Sequence, residues 1–274
     1  MKASLIVPYR EEGAYLDRMR EMVSAQTFHD FEPIFVHDAE GRGPSWARNQ
    51  GLGAAKGEIV LFADVDDEIA PDYVERLVGA CEGVDLVWSR YETVAGDAAS
   101  AALSPRPAED GMVLTGGAVR EFVWRRAFGY RLRDLPKALL PGGLWRNCGR
   151  EFGSVWCRAF RRSAIGELRF DERIRLYEDS VFLCAFAKMA SSMRVIDYAG
   201  YRYFIRPTGG MMSQSAPERK LAAKFALRDA RRALDPSMSH WRGSFVLGAL
   251  EVLRLGGFAA FVRFAFCGGN CYNS

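Results

Sequence analysis

Apolar runs and amphipathic stretches alternate along the first ninety residues. Ala3 to Val7 is a short apolar run closed by Pro8, which predicts a buried strand. In "GAYLDRMREMVSAQ", Leu16, Met19 and Val23 recur at helical spacing among charged residues. "FEPIFVHD" predicts a second strand ending at His37 and Asp38, "GPSWARNQGLGAAKG" a helix opened by Pro44 and closed near Gly57, and "EIVLFAD" a third strand. Strands alternating with helices long enough to act as crossovers predict an α/β domain built on a mostly parallel sheet, with helices on both faces. "PDYVERLVGAC" extends the pattern with another helix and "VDLVWSRY" with a fourth strand. Gly96 to Pro107, rich in Ala, Ser and Pro, predicts a loop. The stretch from there to Arg150 is helical in part and carries Arg120, Arg125, Arg126, Arg131 and Arg133. There is no internal repeat.

Ligands on such sheets sit beyond the carboxyl ends of the strands. Three polar clusters fall there: Pro8 to Glu12, Asp38 to Gly43, and the acids Asp64, Asp66, Asp67 and Glu68. Carboxylates this close repel one another, so the third cluster calls for a positive partner. A divalent cation held by carboxylate oxygens would supply one, and would neutralise a diphosphate at the same time. The alternative is a solvated turn whose Asp residues cap the next helix. A second acidic pair, Glu178 and Asp179, leads the apolar helix "EDSVFLCAFAKM". Acids in a first helical turn are favoured by the helix dipole, and a carboxylate so placed also suits general-base chemistry.

Composition narrows the picture. The chain has 274 residues, 49% of them apolar, and a net charge of +3. That is too little charge, too evenly spread, for nucleic-acid binding. From Ser215 onward nine Lys or Arg face four Asp or Glu, so the tail carries +5 and the rest about −2. Residues 1–214 are expected to form the main α/β domain and 215–274 a basic, apolar helical extension. Within it, "RGSFVLGALEVLRLGGFAAFVRFAF" carries Arg242, Glu251, Arg254 and Arg263, which makes it a poor bilayer span and a fit interfacial or packing helix. Six cysteines without a CxxC pair, and only three histidines, predict reduced thiols rather than a zinc site. The amino terminus runs straight into a strand without a basic leader, so a cytoplasmic location, at most peripheral at the inner face of the cell membrane, is expected.

"SLIVPYREEGAYL", "SAQTFHDFEPIFVHD", "ARNQGLGAAKGEIVLFADVDDEIAPDYVERL", "GSVWCRAFRRSAI" and "LRFDERIRLYEDSVF", in this order, resemble the family 2 glycosyltransferases of bacteria, which have the GT-A fold. The resemblance covers Ala3 to Ser213. It implies that Asp66 contacts the ribose of a nucleotide sugar and Asp67 a Mn²⁺ or Mg²⁺ ion on its diphosphate, with Asp66 beside that ion and Asp64 supporting the cluster. It also implies that Asp179 is the base, with Glu178 beside it contacting the acceptor. Pro8, Tyr9 and Glu11 match the first nucleotide-binding turn, Asp38 the acid that reads the base, Arg48 a further donor-binding residue, and Arg206 of "YRYFIRPTGGMMS" a phosphate contact. The chain departs from the family pattern at His37, where an acid is usual, at Ala39-Glu40, where Gly-Ser is usual, and at Arg10, where Asn is usual.

The implied activity is metal-dependent, inverting transfer of a sugar from a UDP-linked donor to a hydroxyl of a glycan or lipid-linked acceptor. Two rivals differ by feature. A sugar nucleotidyltransferase needs a Gly-rich basic phosphate loop after the first strand, where this chain has "PYREE". A binding protein without turnover has no need of acids at every matched position. The arginines from Arg120 to Arg150 suit an anionic acceptor or a solvated helical face.

Overall fold

The computed structural model describes residues 1–95, 100–104, 109–128, 132–134, 136, 153–205 and 217–266. The predicted alternation of the first half is present: β1 (Ala3–Tyr9), α1 (Ala14–Ser24), β2 (Phe31–His37), α2 (Pro44–Ala54), β3 (Ile59–Phe62), α3 (Tyr73–Ala80) and β5 (Leu86–Ser89), with a short β4 (Glu68–Ile69) after the acidic cluster. Beyond them come β6 (Glu92–Ala95), β7 (Ser100–Leu103), β8 (Val113–Thr115), α4 (Gly117–Val123), β9 (Arg158–Arg161), α5 (Glu178–Met189), β10 (Ser192–Ile196), β11 (Tyr201–Ile205), α6 (Pro217–Leu234) and α7 (Arg242–Phe266).

Seven strands form the main sheet in the order β2-β1-β3-β9-β5-β10-β8, and β4-β11-β6-β7 form a second, smaller one. β1 runs parallel to both β2 and β3, with Ile6 opposite Ile34 and Phe62. β9 enters antiparallel between β3 and β5, so the sheet as a whole is mixed. Pro33 sits in β2, an edge strand, where its missing N–H costs no ladder bond on the open side.

Side chains of β1 alternate between two cores. Leu5 and Val7 pack with Leu61 against Met19 of α1 and Leu77 of α3. Ile6 packs with Val60 and Phe62 against Leu52 of α2, Phe122 of α4 and Phe182 of α5. Gly51 makes this second packing possible, since a Cβ there would stand 2.3 Å from Ile6 Cγ2.

One expectation changes, and one of two open readings of the tail is filled in. Part of the predicted 96–107 loop is β7, paired antiparallel with β6; its Ala and Ser side chains give it no hydrophobic alternation to read. The segment from 215 is also stitched to the body of the protein: Trp241 is 1% exposed inside the main core, where it packs with Phe128.

Candidate active site

β1, β2 and β3 end on one rim, and the acidic turn follows β3 there. The four acids do not share one fate. Asp66 lies half-buried at the rim, and its backbone carbonyl accepts from Arg18 Nη2 at 3.1 Å. Glu68 is bound by Arg18 at 2.9 Å and Arg202 at 2.8 Å. Asp67 turns inward and is 1% exposed. Its Oδ2 accepts from the Tyr201 hydroxyl at 2.8 Å and its Oδ1 from the Phe204 N–H at 3.1 Å, while burial and the neighbouring Asp64 and Asp66 push its carboxyl well above the usual range. Asp67, expected to hold a metal ion, is in this structure the acid that anchors the turn to β11. The Tyr201 hydroxyl also accepts from the Asp64 N–H at 3.0 Å. Tyr201 opens the family-like stretch "YRYFIRPTGGMMS", but that resemblance drew attention to Arg206 and not to this tyrosine.

Asp64 faces the other way, toward a buried arginine. Arg48, Gly51, Leu52 and Ala55 recur at helical spacing on the inner side of α2, so Arg48 is carried into the core with its apolar neighbours. Its side chain is 4% exposed, and its Nη2 donates to Asp64 Oδ1 at 2.9 Å. Nη1 donates to Glu178 Oε1 at 3.0 Å and to Asp179 Oδ1 at 2.6 Å. Arg48, expected to bind the donor, has its guanidinium sequestered among three carboxylates and joins the end of β3 to the start of α5. Desolvation opposes its charge, but the three acids hold its pKa above the ordinary value.

Glu178 and Asp179 come together as the sequence predicts, at the first turn of α5. Both are raised, chiefly by burial, which outweighs the opposing pull of Arg48; Asp179 is pushed up to about 8. Its side chain keeps 16% exposure. The Val155 N–H donates to Asp179 Oδ2 at 3.4 Å. The helix starts from Tyr177, a non-glycine residue with φ of 65°, whose carbonyl accepts from Ser180 Oγ at 2.8 Å. A left-handed residue beside the acids is local strain that the turn's own hydrogen bonds maintain.

At the other end of the rim, Asp38 is 6% exposed, and its oxygens accept from the Arg42 N–H at 2.8 Å and the Gly43 N–H at 2.7 Å. The acid expected to read the base holds the 38–43 loop and the entry to α2. Tyr9 and His37 stack above it, with ring centroids 4.8 Å apart and planes within 3°. Pro8 is half-buried and Glu11 exposed on the same rim. Of the arginines considered for the acceptor, Arg120 lies over the Trp124 ring and Arg126 over Phe122 with an ion pair to Glu109 at 2.9 Å, so both are tied to the protein's own surface. Arg206 and Arg131 lie outside the described residues.

No group of three His, Cys, Asp or Glu side chains among the described residues forms a metal cage. A hard cation at this rim fits only as Mg²⁺ or Mn²⁺ commonly bind, through one or two carboxylates with the remaining ligands from phosphate and water. Asp66 and Asp67, the acids that the sequence assigns to such an ion, both lie in the turn at this rim.

An α/β sheet with a rim of acids, and a buried carboxylate pair facing it, defines a GT-A-type transferase architecture. Residues 17–169 match the model of "Glycosyl transferase family 2", and the chain belongs to that family. It is 30% identical over 174 residues to the succinoglycan biosynthesis protein ExoO of Rhizobium meliloti (strain 1021), covering 60% of this chain and 43% of the relative. To the putative glycosyltransferase EpsH of Bacillus subtilis (strain 168) it is 28% identical over 195 residues, covering 58% and 56%. The chain thus spans about half the length of these relatives. Among solved structures, S. aureus TarS 1-349 in complex with UDP-GlcNAc matches with a TM-score of 0.59 at 18% identity, covering 96% of this chain and 73% of that one. The mannosyltransferase PcManGT from Pyrobaculum calidifontis, in complex with GDP-Man and Mn2+, matches with a TM-score of 0.54 at 17% identity, covering 98% and 76%. At these identities the likeness shows a shared fold.

Proposed function

We propose that the protein transfers a sugar from a nucleoside-diphosphate donor to a hydroxyl group, with inversion at the anomeric carbon. The observation that carries this reading is the Arg48 cluster, which ties Asp64 at the donor rim to Asp179 at the start of α5, more than a hundred residues away in sequence. Asp179 removes the proton of the acceptor hydroxyl as its oxygen bonds to the anomeric carbon from the face opposite the diphosphate. The bond from that carbon to phosphate oxygen breaks, and nucleoside diphosphate leaves. A carboxylate whose proton affinity is raised toward 8 is a stronger base than an exposed one. Glu178 contacts the acceptor and, with Arg48, fixes the orientation of Asp179. Asp66 would hold Mg²⁺ or Mn²⁺, which when bound neutralises charge on the departing diphosphate. The Tyr9–His37 stack, with Pro8 and Glu11, forms the wall toward the nucleobase.

A UDP-linked donor is the reading favoured by the likeness to TarS with UDP-GlcNAc; PcManGT with GDP-Man makes the guanine nucleotide the competitor to test. The similarity to a succinoglycan biosynthesis protein favours a glycan or lipid-linked glycan acceptor.

Thermal-shift titrations with UDP and GDP, with and without Mn²⁺, test the donor half, because a ligand of the native state raises the melting temperature by mass action. UDP should shift the protein upward with Mn²⁺ and much less in excess EDTA, and Asp66→Ala should abolish the difference. Equal UDP affinity in EDTA removes the metal from the reading, and no shift with either nucleotide removes the donor.

A further inference from the structure

The last helix leaves most of its apolar surface outside. An 18-residue window within Arg242–Phe266 has a mean hydropathy of 1.8, yet only 22% of that window is buried. Leu250 is 56% exposed, Phe258 72% and Phe266 78%, with Leu247 and Leu253 also exposed. By length and composition this helix suits a membrane span.

Its backbone rules the span out. Gly257 has φ 73° and ψ −174°, so the helix breaks there and the second limb turns back on the first. Phe264 stacks on Phe245 at 5.5 Å and meets Phe225 of α6 edge-on at 5.3 Å. Buried Arg228 of α6 donates to the carbonyls of Arg263 at 3.1 Å and Phe264 at 2.6 Å, satisfying the end of the returning limb. Gly256 presses against α6, since a Cβ there would stand 3.0 Å from Leu221. Each limb is shorter than the roughly 20 residues that cross a bilayer. α7 is therefore a helical hairpin. It buries Ala249, Val252, Ala260 and Phe264 with Phe225 of α6, and presents Leu253, Arg254 and Phe258 at its bend.

Charge identifies what the bend faces. Glu251, the one acid between Arg242 and Phe266, is bound by Lys224 of α6 at 2.6 Å. Arg254, exposed beside Leu253 at the bend, has no acidic partner among the described residues. The tail from Ser215 carries +5. Apolar side chains flanked by unneutralised arginine match an interface with anionic headgroups, where the chains enter the acyl boundary and the guanidinium stays among phosphates.

We propose that this bend docks on an anionic lipid surface, inserting Leu250, Leu253 and Phe258 into one leaflet without crossing it. α6 packs on α5, and Lys224 lies 5.9 Å over the ring of Tyr177, beside the acid pair. Docking would thus hold the start of α5 near the membrane, where a lipid-linked hydroxyl is presented. The docking follows from the surface itself, whatever the protein transfers, and its test uses no activity.

Flotation with phosphatidylcholine vesicles, with and without one-third phosphatidylglycerol, reads the contact directly. The intact protein should float with the anionic vesicles and be released by an alkaline carbonate wash. Phe258→Asp should lower partitioning by roughly 10-fold or more, and Arg254→Glu should lower it on anionic vesicles in particular. Melting curves of both variants establish that they remain folded; both sites are exposed. The proposal is overturned if the intact protein stays in the bottom fraction, if Phe258→Asp floats like the parent, or if bound protein resists carbonate. A solution dimer that Phe258→Asp dissociates, with no vesicle binding, would instead assign the surface to a second copy of the chain.

Discussion

Arg48 carries one positive charge among three carboxylates, and this imbalance governs the site at the scale of single residues. Removing one partner of a buried ion cluster costs about 3–5 kcal/mol because the others are left uncompensated. Arg48→Met should therefore destabilise the protein by that order in chemical denaturation, and more at pH 8 than at pH 5, since the stranded carboxylates must then lose their protons. Asp179 is the converse case. Burial lifts it to about 8, well above an unfolded aspartate, so the folded protein holds this proton more tightly than the unfolded chain does. The stability it contributes is full below pH ~4 and is lost as pH rises toward 8. Asp179→Asn should thus melt no lower than the parent at pH 8, and about 2–4 °C higher if ~1 kcal/mol is recovered. Turnover should fall by roughly 10²- to 10⁴-fold while donor affinity holds. A variant that is less stable but turns over normally would make Asp179 a helix cap rather than a base. Parent kcat/KM should rise with pH and level off above about 8, as the free base loses its proton.

The acids themselves were legible in the sequence, because four carboxylates in five positions after an apolar run repel one another unless something positive faces them. Which of them turns into the protein was not. Asp66 and Asp67 are neighbours in sequence, and only β11, more than 130 residues later, turns Asp67 inward through Tyr201. Arg48 was legible as important but not as buried; the signal was its place on the apolar side of α2.

Among the elements, α1 to α3 and the strands between them were readable because each shows a clean period, 3.6 for the helices and continuous apolar runs for the strands. β7 was missed because small Ala and Ser side chains show no alternation. The break in α7 was hidden because Gly256 and Gly257 lie in a stretch whose overall hydropathy suggests a single helix. The packing of α2 on β1 is open to a direct test. In Gly51→Ala the new Cβ would meet Ile6 Cγ2 at 2.3 Å, in a strand that cannot give way. Overpacking of this kind costs about 1–3 kcal/mol. Displacing α2 also moves Arg48, so turnover should fall further than stability alone accounts for. Ile6→Ala removes the clashing atoms, and the double variant should melt higher than the sum of the two single changes predicts.

At the scale of the whole molecule, the antiparallel seat of β9 between β3 and β5 determines how the chain can be made. Residues emerge in order, so β5 is synthesised roughly seventy residues, and β3 nearly a hundred, before Arg158–Arg161 arrives to join them. At about 5–20 residues per second, the ribosome leaves two apolar strand edges open for several seconds. An open edge of that kind is a template for pairing with another chain. Halting synthesis before Arg158 should therefore yield a nascent chain that needs a chaperone to stay dispersed; extending it past Arg161 should relieve part of that need, and extending it past Ile196, where β10 covers the other edge of β5, most of the rest.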